Sequence, residues 1–290
     1  MKPGAVVLAL LAAVFLTASS SRALAYSSTG NLRRLEHLTP TTWPQVREAV
    51  SICQAAAEEL DVRLAEAFYV YSYDGQSVLI DGDYCKRPVA IVGSVHRRTA
   101  LVHNRTGTAA CLAAQGFGCG SFFTVQNRAT VRIANFSLSG GFSPPEGWDG
   151  YGGAIWVEQS TLILTSSSVA DSVAWRGGGI YSRWSNLTIS AVRFANNSAS
   201  PSGDGGAISA DWCRLRTTDT SFEGNRAVGS GAAVSVSSSG RTTVTTARFE
   251  DNRCGTGMGC AISQIGQGLV RCQSEHTALS LSRTDYNVVQ

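Results

Sequence analysis

Along the middle of the chain, apolar side chains alternate with small polar ones in runs of four or five residues. Ile155 is followed by Leu162 and Leu164 at +7 and +9, Ile180 in the same way by Leu187 and Ile189, and Ile208 by Leu215 and Thr217. Alternation of period two marks a strand with one buried and one wet face. Each run is short and is bounded by glycine, so the pattern predicts many brief strands and no long helix in this region.

The runs repeat. Gly152-Gly153-Ala154-Ile155 returns as Gly205-Gly206-Ala207-Ile208, with looser copies ending at Ile180, Val234 and Ile262, and the aliphatic residues are 25, 28, 26 and 28 positions apart. A second phrase follows each by 14 or 15 residues: Phe194-Ala195-Asn196-Asn197, Phe222-Glu223-Gly224-Asn225 and Phe249-Glu250-Asp251-Asn252, with a degenerate Val169-Ala170-Asp171-Ser172 before them. A fixed period in the twenties, built of strand-prone runs and glycine turns, is the signature of a stacked coil whose units do not fold alone. If each unit is one turn, equivalent residues stack roughly 4.8 Å apart as parallel strands. The Ile/Val positions then form one buried column, and Val169, Phe194, Phe222 and Phe249 another. The glycines suit a corner with positive φ and close backbone approach, and the final Asn suits a corner where its amide bonds the backbone or the Asn of the next coil. A phosphate cradle needs a helix after its glycines, and strand-like sequence follows here instead.

Weaker periodicity extends upstream. Phe122 precedes Phe136 by the same 14 residues, Val131, Ile133 and Phe136 are expected to point inward, and Val78-Leu79-Ile80 and 89–93 read as earlier coils. The Gly-, Pro- and Trp-rich stretch 141–149 lengthens one turn into a protruding loop, whose Trp148 is a candidate to contact a ligand. Ahead of the coils, Trp43, Val46, Val50, Cys53, Ala57, Leu60 and Leu64 recur at steps of 3 and 4 behind a Thr42 cap and Pro44. That stripe predicts a helix over 43–64, suited to cover the apolar open end of the stack.

The N-terminus reads as a secretory signal: Lys2, an apolar run over 5–16, and Ala23-Leu24-Ala25 before Tyr26, with cleavage expected after Ala25. The apolar run is shorter than the roughly 20 residues that span a bilayer, and no later stretch could span one as a helix. The expected organisation is a signal over 1–25, a linker and capping helix over 26–64, the β-helix over 65–272 with its clearest repeats over 120–262, and a tail over 273–290. Removing Lys2 and Arg22 from the 24 basic residues leaves 22 against 21 acidic ones, which is no footprint for nucleic acid.

All eight cysteines lie beyond Ala25, and an even number in an exported chain favours disulfides, with Cys111–Cys119 and Cys254–Cys260 the local pairs expected. No Cys-x-x-Cys occurs and the four histidines are scattered, so neither a metal nor a cofactor is expected. Asn104, Asn135, Asn186 and Asn196 open N-glycosylation acceptor triplets.

The paired Gly-Gly-Ala-Ile and Phe-x-x-Asn phrases resemble the repeats of chlamydial polymorphic outer membrane proteins, whose passenger domains are right-handed parallel β-helices of the pectin-lyase-like class. The resemblance covers roughly 120–262 and implies an all-β, single-stranded parallel solenoid on the cell surface or outside the cell, with adhesion as its usual role. It supplies no catalytic residues. Members of the bacterial kind carry a transporter barrel of ten-residue alternating strands, which is not expected from the residues after 272.

Two functional readings follow. The first is a noncatalytic adhesion or carbohydrate-binding module for a cell-surface or cell-wall glycan, or for a host or partner protein. Trp184 and Trp212 each lie four residues after a repeat Ile, in register on adjacent coils, where indoles form a platform for sugar rings. Arg183 and Asp211 share the neighbouring position and are expected to pair. The second is a polysaccharide lyase or glycoside hydrolase, which needs carboxylates facing one another across substrate. Asp171, Asp204, Asp211, Asp219, Glu223, Glu250 and Asp251 are the carboxylates available, without an adjacent Asp-Asp pair or a dense calcium-binding cluster. Two carboxylates and an Arg brought together in one groove would favour the enzyme.

Overall fold

The computed structural model describes residues 40–55, 59–64, 70–72, 76–94, 99–103, 120–143, 150–237, 241–255, 260–265 and 269–273. They fall within one unit, Arg34–Gln290. The expected signal, most of the linker and the tail beyond 273 lie outside them.

The repeat becomes a parallel β-helix. Seven strands, Val78–Asp81, Phe123–Gln126, Ile155–Glu158, Ile180–Arg183, Ile208–Asp211, Val234–Ser237 and Ile262–Ile265, pair in parallel to make one sheet. Their register places Phe123, Ile155, Ile180, Ile208, Val234 and Ile262 in one column. The rest of each turn belongs to a thirteen-stranded sheet with two legs, which the ten-residue strands Arg214–Glu223 and Arg241–Glu250 join by running through the bend between them. A small four-stranded sheet closes the turn on the remaining side.

Corners recur at fixed places because single residues there adopt the left-handed conformation. After the seven-stranded sheet come Gln159, Trp184 and Trp212; at the bend between the legs, Asn135, Ser166, Ala191, Asp219 and Thr246; after the second leg, Asp171, Asn196, Gly224 and Asp251; and before each repeat Ile, Gly152, Gly177, Gly205 and Gly231, all with φ between 48° and 72°. The second glycine of the phrase answers a different demand. A Cβ at Gly178 or Gly206 would run into carbonyl oxygens of the following coil.

Two columns hold the interior together. Phe194, Phe222 and Phe249 stack face to face, with centroids 5.2 and 5.0 Å apart and planes within 7° of parallel. Beside them the buried Asn197 and Asn225 and the half-buried Asn252 form a ladder. Asn197 Nδ2 donates to Asn225 Oδ1 at 3.0 Å, and Asn225 Nδ2 to Asn252 Oδ1 at 2.9 Å. The same amides donate to the carbonyls of Val169, Phe194 and Phe222. The ladder's amide oxygens also accept from the backbone N–H groups of Ser172, Asn197 and Asn225, so this corner's backbone finds partners along the stack.

Two expectations are corrected. The helix is Trp43–Ser51, followed by a 3-10 turn over Ile52–Ala55, and does not reach residue 64. Leu60–Arg63 is instead a strand paired with Val89–Val92, so the β-helix begins ahead of the expected boundary at 64. Positions 60 and 64 share a face in a helix and in a strand alike, so they carried no discrimination; the buried Val62 between them fits only the strand. The helix starts as expected, with a Thr42–Gln45 capping box, and lies against the first coils: Trp43 packs edge-on against Phe123 at 5.5 Å and donates to the Gln76 carbonyl. The 14-residue step from Phe122 to Phe136 is also out of phase with the columns. The register pairs Ile155 with Phe123 and Val169 with Leu138, while Phe136 contacts Phe123 edge-on.

Asn225 is the middle rung, and Asn225→Ala leaves two donors of Asn197 and the Phe194 carbonyl without their partner and removes one of the two donors to the Asn252 amide oxygen, which keeps the Asn225 backbone N–H. We expect a loss on the order of 3 kcal/mol, exceeding that for Asn252→Ala at the half-buried end. Urea unfolding followed by circular dichroism ranks the two; an Asn225→Ala protein as stable as Asn252→Ala would show that the ladder contributes little.

Candidate functional site

The outward side chains with the most chemistry lie on the coils that carry Ile180 and Ile208, around the corner that ends the seven-stranded sheet. Strand Ile180–Arg183 runs into Trp184 and strand Ile208–Asp211 into Trp212. The left-handed backbone at each turns the indole outward, while its N–H stays in the ladder, Trp184 donating to the Asp211 carbonyl and Trp212 to the Ser237 carbonyl. The indoles are 45% and 53% exposed. They sit in register without ring contact to one another; the Arg183 guanidinium lies 3.7 Å over the Trp184 ring instead.

That placement overturns the expected Arg183–Asp211 pair. The two are register neighbours, but Asp211 is claimed from the other side. Arg176 donates to Asp211 Oδ2 at 3.1 Å and to Asp204 Oδ2 at 3.3 Å, Tyr181 Oη donates to Asp211 Oδ2 at 3.0 Å, and Ser237 Oγ donates to Asp211 Oδ1. Asp204 Oδ1 accepts from the Ser230 N–H at 2.6 Å. Tyr181 is stacked beneath Tyr151 at 4.3 Å, and Tyr151 leans on Trp175 at 5.5 Å. Burial and the adjacent Asp211 charge push the Tyr181 hydroxyl well above its ordinary value. Burial works against the Arg176 charge, but Asp211, Tyr181 and Asp204 outweigh it and hold the guanidinium more firmly protonated. Sequence reasoning singled out neither Arg176 nor Tyr181. The signal was weak: an Arg immediately before a corner glycine, whose reach to two carboxylates of the next coil only the stacked geometry reveals.

Two carboxylates and an arginine therefore do meet, but on each other. Both Asp211 oxygens accept hydrogen bonds, and the guanidinium stands between Asp211 and Asp204 where a hydrolase keeps substrate. The other carboxylates disperse. Glu223 pairs with Arg193 and Glu250 with Arg248, at 2.6 Å each; Asp171 accepts from Ser139; Asp219 and Asp251 stand exposed at separate corners. A shallow groove of about 350 Å³ lies elsewhere, beside the four-stranded sheet, lined by Ser198, Ser200, Arg226, Val228 and Arg253 among others and by no carboxylate.

Cys254 is bonded to Cys260, and Cys53 to Cys85, which ties the end of the helix to the turn after Val78–Asp81. Cys213 is buried and unpaired, so disulfides do not account for every cysteine. Burial pushes its thiol up to about 11, its hydrogen bonds with Ser182 and backbone groups only partly offsetting this. Of the acceptor asparagines, Asn186 and Asn196 are exposed and Asn135 is half-buried. Asn104, Cys111, Cys119 and Trp148 lie outside the described residues.

Residues 191–211 match the model of the Chlamydia polymorphic membrane protein repeat. The coils are polymorphic-membrane-protein-like repeats. The matched segment runs from the Phe194 corner through Asn197 to the Gly205-Gly206 phrase and Asp211, so the polymorphic-membrane-protein-like unit includes one rung of the Asn ladder and the acceptor of the Arg176 cluster. No curated protein and no solved structure matches the chain. Among the described residues no helix is long and apolar enough to cross a membrane.

Arg176→Met strands two carboxylates that are only 20% and 11% exposed as side chains. It is expected to cost about 2–3 kcal/mol, most of it restored in Arg176→Met/Asp204→Asn/Asp211→Asn. Thermal unfolding of the two variants decides; equal stability of Arg176→Met and the parent protein would make the cluster energetically idle. Because the thiolate is the nucleophile, the raised Cys213 thiol should stay unlabelled by N-ethylmaleimide at neutral pH and label on unfolding, as read by peptide mass mapping. Rapid labelling of the native chain would contradict the burial.

Proposed function

We propose that the protein is a surface-exposed or extracellular β-helix that binds carbohydrate without cleaving it, through the corner formed by Trp184 and Trp212. The observation that carries this reading is the pair of indoles held outward in successive coils on a left-handed backbone. That conformation costs a side-chain-bearing residue roughly 1–2 kcal/mol, and at this corner about half of each tryptophan stays exposed. Exposed aromatic faces of this kind suit the apolar face of a sugar ring. The parallel coil and the polymorphic-membrane-protein-like repeat support surface display, the disulfides are compatible with an extracellular location, and the signal-like N-terminus supports export. Asn196 then serves as a glycan acceptor if the host modifies exported chains.

The pectin-lyase-like enzyme reading has the Arg176, Asp204 and Asp211 cluster in its favour. Against it stands the mutual neutralisation of those groups. Incubating the purified protein with neutral glycans and polyuronides, and recording retention and bond cleavage separately, tests both. We expect retention without cleavage, and at least about a tenfold loss of retention in Trp184→Ala/Trp212→Ala. Cleavage abolished by Asp211→Asn would replace binding with catalysis, and binding indifferent to both tryptophans would remove the corner as the site.

A further inference from the structure

The first leg of the thirteen-stranded sheet begins two residues beyond the tryptophan corner, and its outer face is basic. Strands Asn186–Ser190, Arg214–Glu223 and Arg241–Glu250 lie side by side in register, Asn186 beside Arg214 beside Arg241, and Thr188 beside Arg216 beside Thr243. Leu187, Leu215 and Thr242 point inward and are buried, so by alternation Asn186, Arg214 and Arg241 point outward, and all three are exposed. Arg216 is exposed two residues along the same strand, and the exposed Arg132 continues its column behind Ile163 and Thr188.

None of these arginines has an ion pair or hydrogen bond among the described residues. The outward positions of five neighbouring strands of this leg, Thr130, Arg132, Thr161, Ile163, Thr165, Asn186, Thr188, Ser190, Arg214, Arg216, Thr218, Arg241, Thr243 and Thr245, include no Asp or Glu, and the carboxylate on its first strand, Asp61, pairs with Arg63. The second leg is built the opposite way, with Arg193 on Glu223 and Arg248 on Glu250. In a mature chain of near-zero net charge, like charges set directly opposite one another across a strand pair destabilise it. A carboxylate or sulfate between them removes the repulsion and receives the planar two-pronged donors for which guanidinium is suited.

We propose that this face binds an acidic glycan, with Arg214, Arg216 and Arg241 gripping its carboxylate or sulfate groups while Trp212 packs a sugar ring at the corner. The proposal rests on the carbohydrate reading above and specifies its ligand class. Arg214 and Arg241 are about one strand spacing apart, roughly 4.8 Å, and Arg214 and Arg216 two residues, roughly 6.6 Å. The three cations therefore form a compact triangle, and the side chains of Asn186, Thr188 and Thr243 beside them offer hydrogen-bonding groups to sugar hydroxyls. A nucleic acid is the lesser fit, because a net charge near zero gives the chain no broad steering field.

Arg226 and Arg253 provide an internal control. They too are exposed, in register and unpaired among the described residues, but lie on the four-stranded sheet. Affinities of the purified protein are to be measured for heparin, polygalacturonate, a neutral glucan and a single-stranded oligonucleotide, across a salt series. The expected result is salt-sensitive binding to heparin or polygalacturonate that falls at least about tenfold in Arg214→Gln/Arg241→Gln and less than about twofold in Arg226→Gln/Arg253→Gln, with both variants folded by circular dichroism. Whichever polyanion binds more tightly identifies sulfate or carboxylate as the preferred group. The proposal is overturned if neither acidic glycan binds, if the two double variants weaken equally, or if the oligonucleotide binds as tightly through the same arginines. Neutral-glucan binding that needs Trp184 and Trp212 but ignores Arg214 and Arg241 would sink this inference and leave the corner reading standing. Acidic-glycan binding that needs the arginines and ignores both tryptophans would do the reverse.

Discussion

In-register parallel pairing of one coil on the next is the constraint from which the other features follow. Once strand Ile180–Arg183 is locked beside Ile208–Asp211, every residue in one turn must accept its counterpart as a neighbour at strand spacing. Residues that gain from self-stacking are therefore placed inside. Phenylalanine rings lie parallel, and asparagine amides, with a donor and an acceptor on one planar group, hand hydrogen bonds along the stack. Corners obey the same rule, since the left-handed residue must sit at the same place in each turn.

Charged residues do not gain from self-stacking, and their fate divides the surface. On the second leg, arginine meets glutamate and the charge cancels locally. Beyond the seven-stranded sheet, Arg176 holds Asp204 and Asp211 together under a layer of Tyr151 and Tyr181, a closed arrangement whose partners are all internal. On the first leg Arg132, Arg214, Arg216 and Arg241 stay uncancelled among the described residues. The face proposed to bind is thus distinguished less by what is present than by which charges the fold leaves without an internal answer.

Much of this architecture was legible in the residues. The spacing of Ile180, Ile208 and Val234, the trailing Phe and Asn columns and the glycine corners all follow from a period that packing enforces at every turn. Legibility failed where a residue acts outside its own column. Arg176 crosses to Asp204 and Asp211 on the following coil, and Arg183 turns to its chain neighbour Trp184 rather than to its register neighbour Asp211. Register specifies which Cα atoms are adjacent and leaves long, flexible side chains to choose among several partners. The helix overrun had a different cause: Leu60 and Leu64 satisfy a step of four as well as two steps of two, and only pairing with Val89–Val92 settles which is meant.

The corner at Trp184 and Trp212 contributes one outward side chain per coil, set by a backbone that the neighbouring coils already fix. A repeat of 25 to 28 residues duplicated or removed as a whole leaves every interior column intact, yet adds or deletes one element of the outer surface. The proposed binding to a repetitive polymer would then scale through effective concentration, because a second point of attachment on the same strand of ligand is intramolecular. A coil of this construction can change its avidity by changing its length, with no side chain redesigned.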